Sequence, residues 1–126
     1  MAESFRPPNS VAAAAKRAAK RRAEVPPSQR GLTSVGIRRM AQLGAREPVS
    51  IPTLRRMVGY LSRHLKDKRA STWKTRGKGW VAWHAWGGDS GGRWALRILR
   101  REDRDWYEKW ARSPRNRALL RHFRGK

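Results

Sequence analysis

Positive charge is the feature that constrains this chain most. Its 126 residues include 31 Lys and Arg against 9 Asp and Glu, which gives a formal net charge of +22 at pH 7. A compact chain of this length has a radius of gyration of about 14 Å, and salt screens charges over about 8 Å under physiological conditions. The cations therefore repel one another across the fold, and a partner rich in negative charge would relieve this cost. Counterion release makes nucleic acid the expected partner, ahead of an anionic membrane surface or an acidic protein.

The composition also limits how such a chain can be stabilised. It contains no Cys, so disulfides and thiolate metal sites are excluded and stability must come from an apolar core. All seven Trp residues lie between positions 73 and 110, where large rings bury much area in a short chain. No stretch approaches the roughly 20 apolar residues of a membrane span, and residues 1–8 lack the order of a signal peptide. We therefore expect an intracellular protein.

The first 30 residues have the composition of a basic arm. Two pairs of Pro residues bracket the run from Ser10 to Glu24, which favours a helix because it is rich in Ala. Val11 is its only larger apolar side chain, so we predict a helix that buries little against a core and is strengthened on a charged surface. The sequence thus divides into an arm at 1–30 and a helical domain at 31–126.

Two helices are predicted between residues 33 and 64. The first runs from Thr33 to Leu43 and ends at Gly44, and the second has Ser50 as its N-cap and Pro52 in its first turn. Their apolar contacts are expected from Val35, Ile37, Met40 and Leu43 in the first helix and from the stripe Leu54, Met57, Val58 and Leu61 in the second. A helix-turn-helix is one interpretation. We favour a plain helical hairpin, because no base-reading Asn or Gln stands on the second helix.

Residues 66–79 are predicted to form an exposed basic loop. The lone Trp73 within it could stack on a base, but folding back onto the core is the favoured interpretation. A helix over Gly79 to Trp86 should then be halted by the two Gly residues that follow.

The rest of the chain is also predicted to be helical. Asp89 or Ser90 should cap a helix whose buried stripe is Trp94, Ala95, Ile98 and Leu99. Trp106 and Trp110 are four residues apart and can share a face. Acidic residues at 102–108 alternate with Arg and Lys, which indicates ion pairs within a helix, and a last helix starts near Pro114. The fold class is therefore all-α, with a Trp-rich core.

The stretch at 81–91, VAWHAWGGDSG, carries an Ala-Trp, Trp-Gly-Gly-Asp, Gly signature. In this it resembles a small basic domain of tailed-phage and prophage proteins, and the likeness extends back through Thr33 to His64. It covers about half the chain, roughly Gly31 to Ala95, and departs from the signature at His84 and Ala85. The resemblance implies no particular activity. It does imply a phage setting, with DNA replication, packaging or the virion as places of action.

Catalytic chemistry finds little support in the sequence. Residues 88–92, GDSGG, reproduce the nucleophile motif of trypsin-like proteases, but that chemistry needs a much longer two-barrel β scaffold. The three His residues share no ligand spacing, and no paired acids or nucleotide-binding loop stand out. A phosphate at the start of the helix after Gly88 is a weaker alternative, because Asp89 would compete for the same N–H groups. We expect neither a catalytic residue nor a cofactor or metal.

The resulting hypothesis is a non-enzymatic protein that binds double-stranded DNA mainly through its phosphates. Two alternatives stay open: a virion or internal structural protein that lies against packaged DNA or the capsid, and an RNA-binding protein of ribosomal type. The host cytoplasm is the expected location, with packaging into a virion as an option. The cations expected to contact phosphate are Lys16, Arg17, Lys20, Arg21 and Arg22 on the arm, Arg38, Arg39, Arg55 and Arg56 on the hairpin, and Lys66, Lys68, Arg69, Lys74, Arg76 and Lys78 in the loop.

Overall fold

The computed structural model describes residues 3–124 and confirms the all-α prediction. Its helices are α1 (Asn9–Glu24), α2 (Ser34–Gly44), α3 (Ile51–His64), α4 (Lys78–Ala85), α5 (Gly88–Glu102), α6 (Arg104–Trp110) and α7 (Pro114–Arg124). Short 3-10 turns occupy Pro27–Gln29, Leu65–Arg69 and Ser71–Trp73. The strands β1 (Ser4–Phe5) and β2 (Val49–Ser50) form one small antiparallel pair. Within residues 3–124, no helix combines the length and the apolar character that a membrane crossing requires.

Helix α1 is part of the core, so the prediction that it buries little is wrong. Val11 is fully buried, and its small neighbours Ala12, Ala14, Ala15 and Ala18 are buried with it. The helix packs on α2, α4 and α5. The helix is buried because its small Ala side chains let neighbouring backbones approach closely. At Gly88, for example, an added Cβ would lie only 3.2 Å from the Cβ of Ala14. A face of small residues can thus be fully buried with few large side chains.

The segment before α1 is fastened to the rest of the fold. Strand β1 pairs with β2, which leads directly into α3. Arg6 donates from Nη1 to the carbonyl of Arg46 at 3.0 Å, and Arg46 donates from Nε to the carbonyl of Pro7 at 2.8 Å. These contacts join residues about 40 positions apart, which is why no local pattern in the sequence indicated them.

Helices α2 and α3 form where the sequence predicts them, but they do not pack as a hairpin. Ser50 accepts the Thr53 N–H as the N-cap of α3, and the predicted stripe of α3 is buried. Helix α2 packs mainly on α1 and α4, whereas α3 packs on α5 and α7. Because the partners of α2 lie on another side, Val35 and Ile37 are exposed while Met40 and Leu43 are buried. The hairpin prediction is therefore wrong.

The turn between α4 and α5 depends on glycine. Gly87 has φ of +110° and Gly88 has φ of +65°, values that favour residues without a Cβ. Gly87 is also the N-cap of α5, and no side chain caps this helix. The prediction that Asp89 or Ser90 would do so is wrong. The Asp89 carboxylate instead accepts the Nε1 hydrogen of Trp83 at 2.9 Å.

The C-terminal third follows the predicted stripes and, in part, the predicted ion pairs within helices. The buried stripe of α5 is confirmed, and the rings of Trp106 and Trp110 stack with centroids 5.9 Å apart. Asp103 separates α5 from α6 and pairs with Arg55 of α3, Nη2 to Oδ2, at 2.6 Å. Two members of the acidic cluster pair within a helix as expected, Glu102 with Arg101 in α5 and Glu108 with Arg104 in α6, whereas Asp103 joins two helices.

Gly92 of α5 packs tightly against side chains of α7 and α3. A Cβ there would lie 2.9 Å from Phe123 Cε2 and 3.0 Å from Leu61 Cδ1, and Phe123 and Leu61 are themselves buried. Something in the core would have to move to admit even a methyl group.

We expect Gly92→Ala to lower the free energy of unfolding by about 1–3 kcal/mol, the usual cost of overpacking. Gly59→Ala is the matched control, because a Cβ at this position in α3 meets only the flexible end of Arg63 at 3.4 Å. In the control, the helix propensity of Ala should raise the free energy of unfolding by up to about 1 kcal/mol. Urea unfolding followed by circular dichroism measures both. Equal effects of the two substitutions would contradict the tight packing at Gly92.

Candidate nucleic-acid interface

Most cations of this chain face solvent without a neutralising partner. Residues 3–124 contain 30 Lys and Arg, of which 22 are exposed. Two of these 22, Arg101 and Arg104, form ion pairs, so 20 exposed cations have no ion-pair partner within the described residues. Such a surface keeps a strong positive potential that attracts polyanions.

The outer face of α1 carries one group of these cations. Lys16, Arg17 and Lys20 are exposed and lie on the opposite side of the helix from its buried Ala residues. Because α1 is packed along one side, the backbone positions of these three residues have a fixed spacing, from which the flexible side chains extend into solvent. Arg21 and Arg22, one turn further on, are only partly exposed.

Arg21 joins the end of α1 to the basic segment 65–78. Its Nε donates to the carbonyl of Arg76 and its Nη2 donates to the carbonyl of Thr75, both at 3.1 Å. Arg21, Arg76 and Lys78 also line one groove, of about 500 Å³, together with the backbone at Gly77 and Gly79. We call the exposed cations of α1 and of segment 65–78 the arm-loop surface: Lys16, Arg17, Lys20, Lys66, Arg69, Lys74, Arg76 and Lys78.

Lys68 does not belong to this surface, although the sequence suggested that it would. Its Nζ lies 2.9 Å from Asp89 Oδ1 and 4.9 Å from the centroid of the Trp83 ring. Asp89 also contacts Nε2 of His122, 3.2 Å from its Oδ2. The pairing holds the loop against α4, α5 and α7, so Lys68 has an internal role.

The Asp89 carboxyl is strongly acidic in the folded protein. Burial by itself would raise its pKa, but the hydrogen bond and charge of Lys68 and the hydrogen bond from Trp83 outweigh burial and lower the pKa from 3.8 to about 2. Asp89 is therefore ionised throughout the physiological pH range.

Trp73 folds back onto the core as predicted. It is partly buried, and its ring meets that of Trp83 edge to face at a centroid distance of 6.3 Å. Near it, the rings of Trp80 and His84 lie 4.2 Å apart, and the Arg76 guanidinium lies 5.7 Å from the centroid of Trp80. Burial lowers the pKa of His84, which opposes a charge on this ring at neutral pH.

A second group of arginines lies on α2 and α3, and two of its members are engaged within the fold. Arg39 is 8% exposed, donates to Gln42, and has its guanidinium 5.5 Å from the centroid of the Trp86 ring. Burial, Arg56 and Arg38 all lower its pKa. The expectation that Arg39 contacts phosphate at the surface is therefore wrong. Its aliphatic stem is packed in the core, and its guanidinium stacks on an aromatic ring.

Arg55 is also engaged within the fold. Besides pairing with Asp103, its guanidinium lies 5.4 Å from the centroid of the Trp106 ring. Arg38 and Arg56 stay exposed, as expected. Arg63 was not among the expected phosphate contacts, although it is exposed and lines a groove with Arg55 and Arg56. Its spacing of seven residues from Arg56 was the available signal.

In comparisons with known proteins, no protein family, curated protein or solved structure matches the sequence. The candidate interface therefore rests on the charge, exposure and contacts of this chain.

We predict that the stability of the protein falls as the pH is lowered from about 4 to about 2. The pKa of Asp89 is depressed on folding, so its contribution is complete above the unfolded value of 3.8 and is lost as pH falls through the folded value of about 2. Urea unfolding across this pH range should show a steeper loss for the wild type than for Asp89→Asn, which lacks the titrating group. Parallel curves for the two proteins would contradict the assignment.

Proposed function

We propose that this protein is a non-enzymatic DNA-binding protein that contacts the phosphates of the duplex through the arm-loop surface. The observation that carries the proposal is the set of exposed cations without ion-pair partners, eight of which are on α1 and the loop that Arg21 fastens to it. Each phosphate neutralised by such a side chain releases condensed counterions, which favours binding without any reading of sequence.

The spacing of the cations on α1 suits a phosphate backbone. Lys16 and Lys20 are one helical turn apart, about 6 Å along the axis. One strand of duplex DNA carries a phosphate for about every 3.4 Å of its axis, so the two flexible side chains are close enough to contact separate phosphates of the same strand. Because the helix is packed into the core, little conformational entropy is lost when these charges are matched.

The biological setting belongs to the same proposal and rests on the sequence resemblance alone. The likeness to a domain of tailed-phage and prophage proteins favours an action on phage DNA, in the host cell or inside the virion. In a virion protein, the same positive surface would contact the phosphates of packaged DNA. Both settings therefore use the same contacts.

We expect binding to a labelled DNA duplex to weaken steeply with salt. If about five phosphates are neutralised, log affinity against log salt should have a slope near −4.5. A fluorescence anisotropy titration between low and physiological salt measures the slope. An affinity that does not change with salt, or no binding at modest ionic strength, would overturn the proposal. Structured RNA that displaces the duplex at a lower concentration would assign the surface to RNA instead.

The location of the interface is tested by two variants with the same loss of charge. The combination Lys16→Gln, Arg17→Gln and Lys20→Gln removes three cations from α1. The combination Lys109→Gln, Arg112→Gln and Arg115→Gln removes three exposed cations from the region of α6 and α7. If the first three each contact a phosphate, their removal should make the salt slope less negative by about 2.7. The second variant should bind nearly as the wild type does. Equal losses would show that only the total charge matters.

A further inference from the structure

A groove between α5, α6 and α7 has a character unlike that of the arm-loop surface. It has a volume of about 250 Å³, and its apolar lining consists of Leu96, Tyr107, Leu120 and Phe123. Leu96 and Phe123 belong to the core, whereas Tyr107 and Leu120 are partly exposed. The groove therefore presents apolar surface to solvent between two helices.

Arginines surround this apolar surface. Arg93, Arg97, Arg100 and Arg124 line the same groove, and none of the four forms an ion pair within residues 3–124. Arg93 lies with its guanidinium 5.9 Å from the centroid of the Phe123 ring, and its Nη1 is buried without a hydrogen-bond partner among the described residues.

The groove continues towards the other end of α6. A neighbouring depression shares Arg100, Tyr107, Leu120 and Arg124 with it and adds Arg117. The one acidic residue that lines either depression, Glu108, is already paired with Arg104. Charge and apolar surface thus run side by side along α5 and α7.

We propose that this groove binds an acidic amphipathic helix of a partner protein. Leu or Phe side chains of the partner would enter between α5 and α7, and Asp or Glu on its flanks would pair with the surrounding arginines. This is the helix-in-groove mode of recognition with charge complementarity added. Duplex DNA suits the site less, because the charged phosphates dominate the outside of a sugar-phosphate backbone and leave little apolar surface to bury against Leu96 and Leu120. The proposal does not depend on the function of the arm-loop surface, since the two share no residue.

The test uses a twelve-residue fluorescent peptide of Glu and Asp with Leu and Phe at helical spacing. Its control peptide has the same charge, with Ser in place of Leu and Phe. Anisotropy titrations with the full chain should show binding of the first peptide at least about tenfold tighter than that of the second, because apolar anchors dominate such interfaces. Equal affinity for the two peptides would overturn the proposal, since charge alone would then explain the binding.

Substitutions locate the site on the protein. Arg97→Glu with Arg100→Glu reverses two charges beside the groove, and Lys109→Glu with Arg112→Glu reverses two exposed charges that do not line it. The first pair should weaken peptide binding by about tenfold or more, and the second should have a much smaller effect. Leu120→Ser should weaken binding of the peptide with Leu and Phe but not that of the Ser peptide. Circular dichroism confirms folding of each variant. The site would be refuted if the groove variants left the affinity for the peptide unchanged. It would also be refuted if DNA displaced the peptide to the same extent from both pairs of variants.

Discussion

The carboxylate of Asp89 is the interaction on which much of this fold depends. The carboxylate contacts Lys68 of the loop, Trp83 of α4 and His122 of α7, and Asp89 itself lies in the first turn of α5. In a chain with so few acids, this partly buried negative charge joins four segments of a strongly basic protein. Removal of one member of a partly buried pair leaves a poorly solvated charge, which costs more than the loss of a surface ion pair. One side chain therefore links the loop, the Trp cluster and the last helix.

Helical periodicity accounts for how well the sequence predicted the elements. The stripe of α3, its Ser50 cap and the stripe of α5 are all local patterns, and the structure confirms each of them. The predictions that were wrong concern contacts between residues far apart in the sequence. The burial of Ala14 against Gly88 depends on backbones brought together from different helices, and no spacing within α1 reveals it. The packing of α2 and α3 on different partners is of the same kind, since a short connection does not dictate which faces meet.

The candidate interface was predictable only in part, for a related reason. Composition indicated how many cations there are, but not which ones the fold uses. Arg39 stacks on Trp86, Lys68 pairs with Asp89, and Arg55 pairs with Asp103, so each serves the interior or joins helices. The guanidinium and ammonium groups have long apolar stems and favourable contacts with aromatic faces, which lets a Trp-rich core absorb some of them. Burial separates these structural cations from those left for a partner, and burial is a property of the assembled chain.

The attachment of α1 at both ends has a thermodynamic consequence. Its start follows the strand paired with β2, and its last turn is held by the hydrogen bonds of Arg21 to the loop. A helix fixed in this way cannot fold upon association, unlike a disordered basic tail. If α1 contacts a duplex as proposed, binding should therefore lack the large negative heat capacity change that accompanies coupled folding and binding. Its calorimetric signature would be that of two preformed surfaces exchanging counterions.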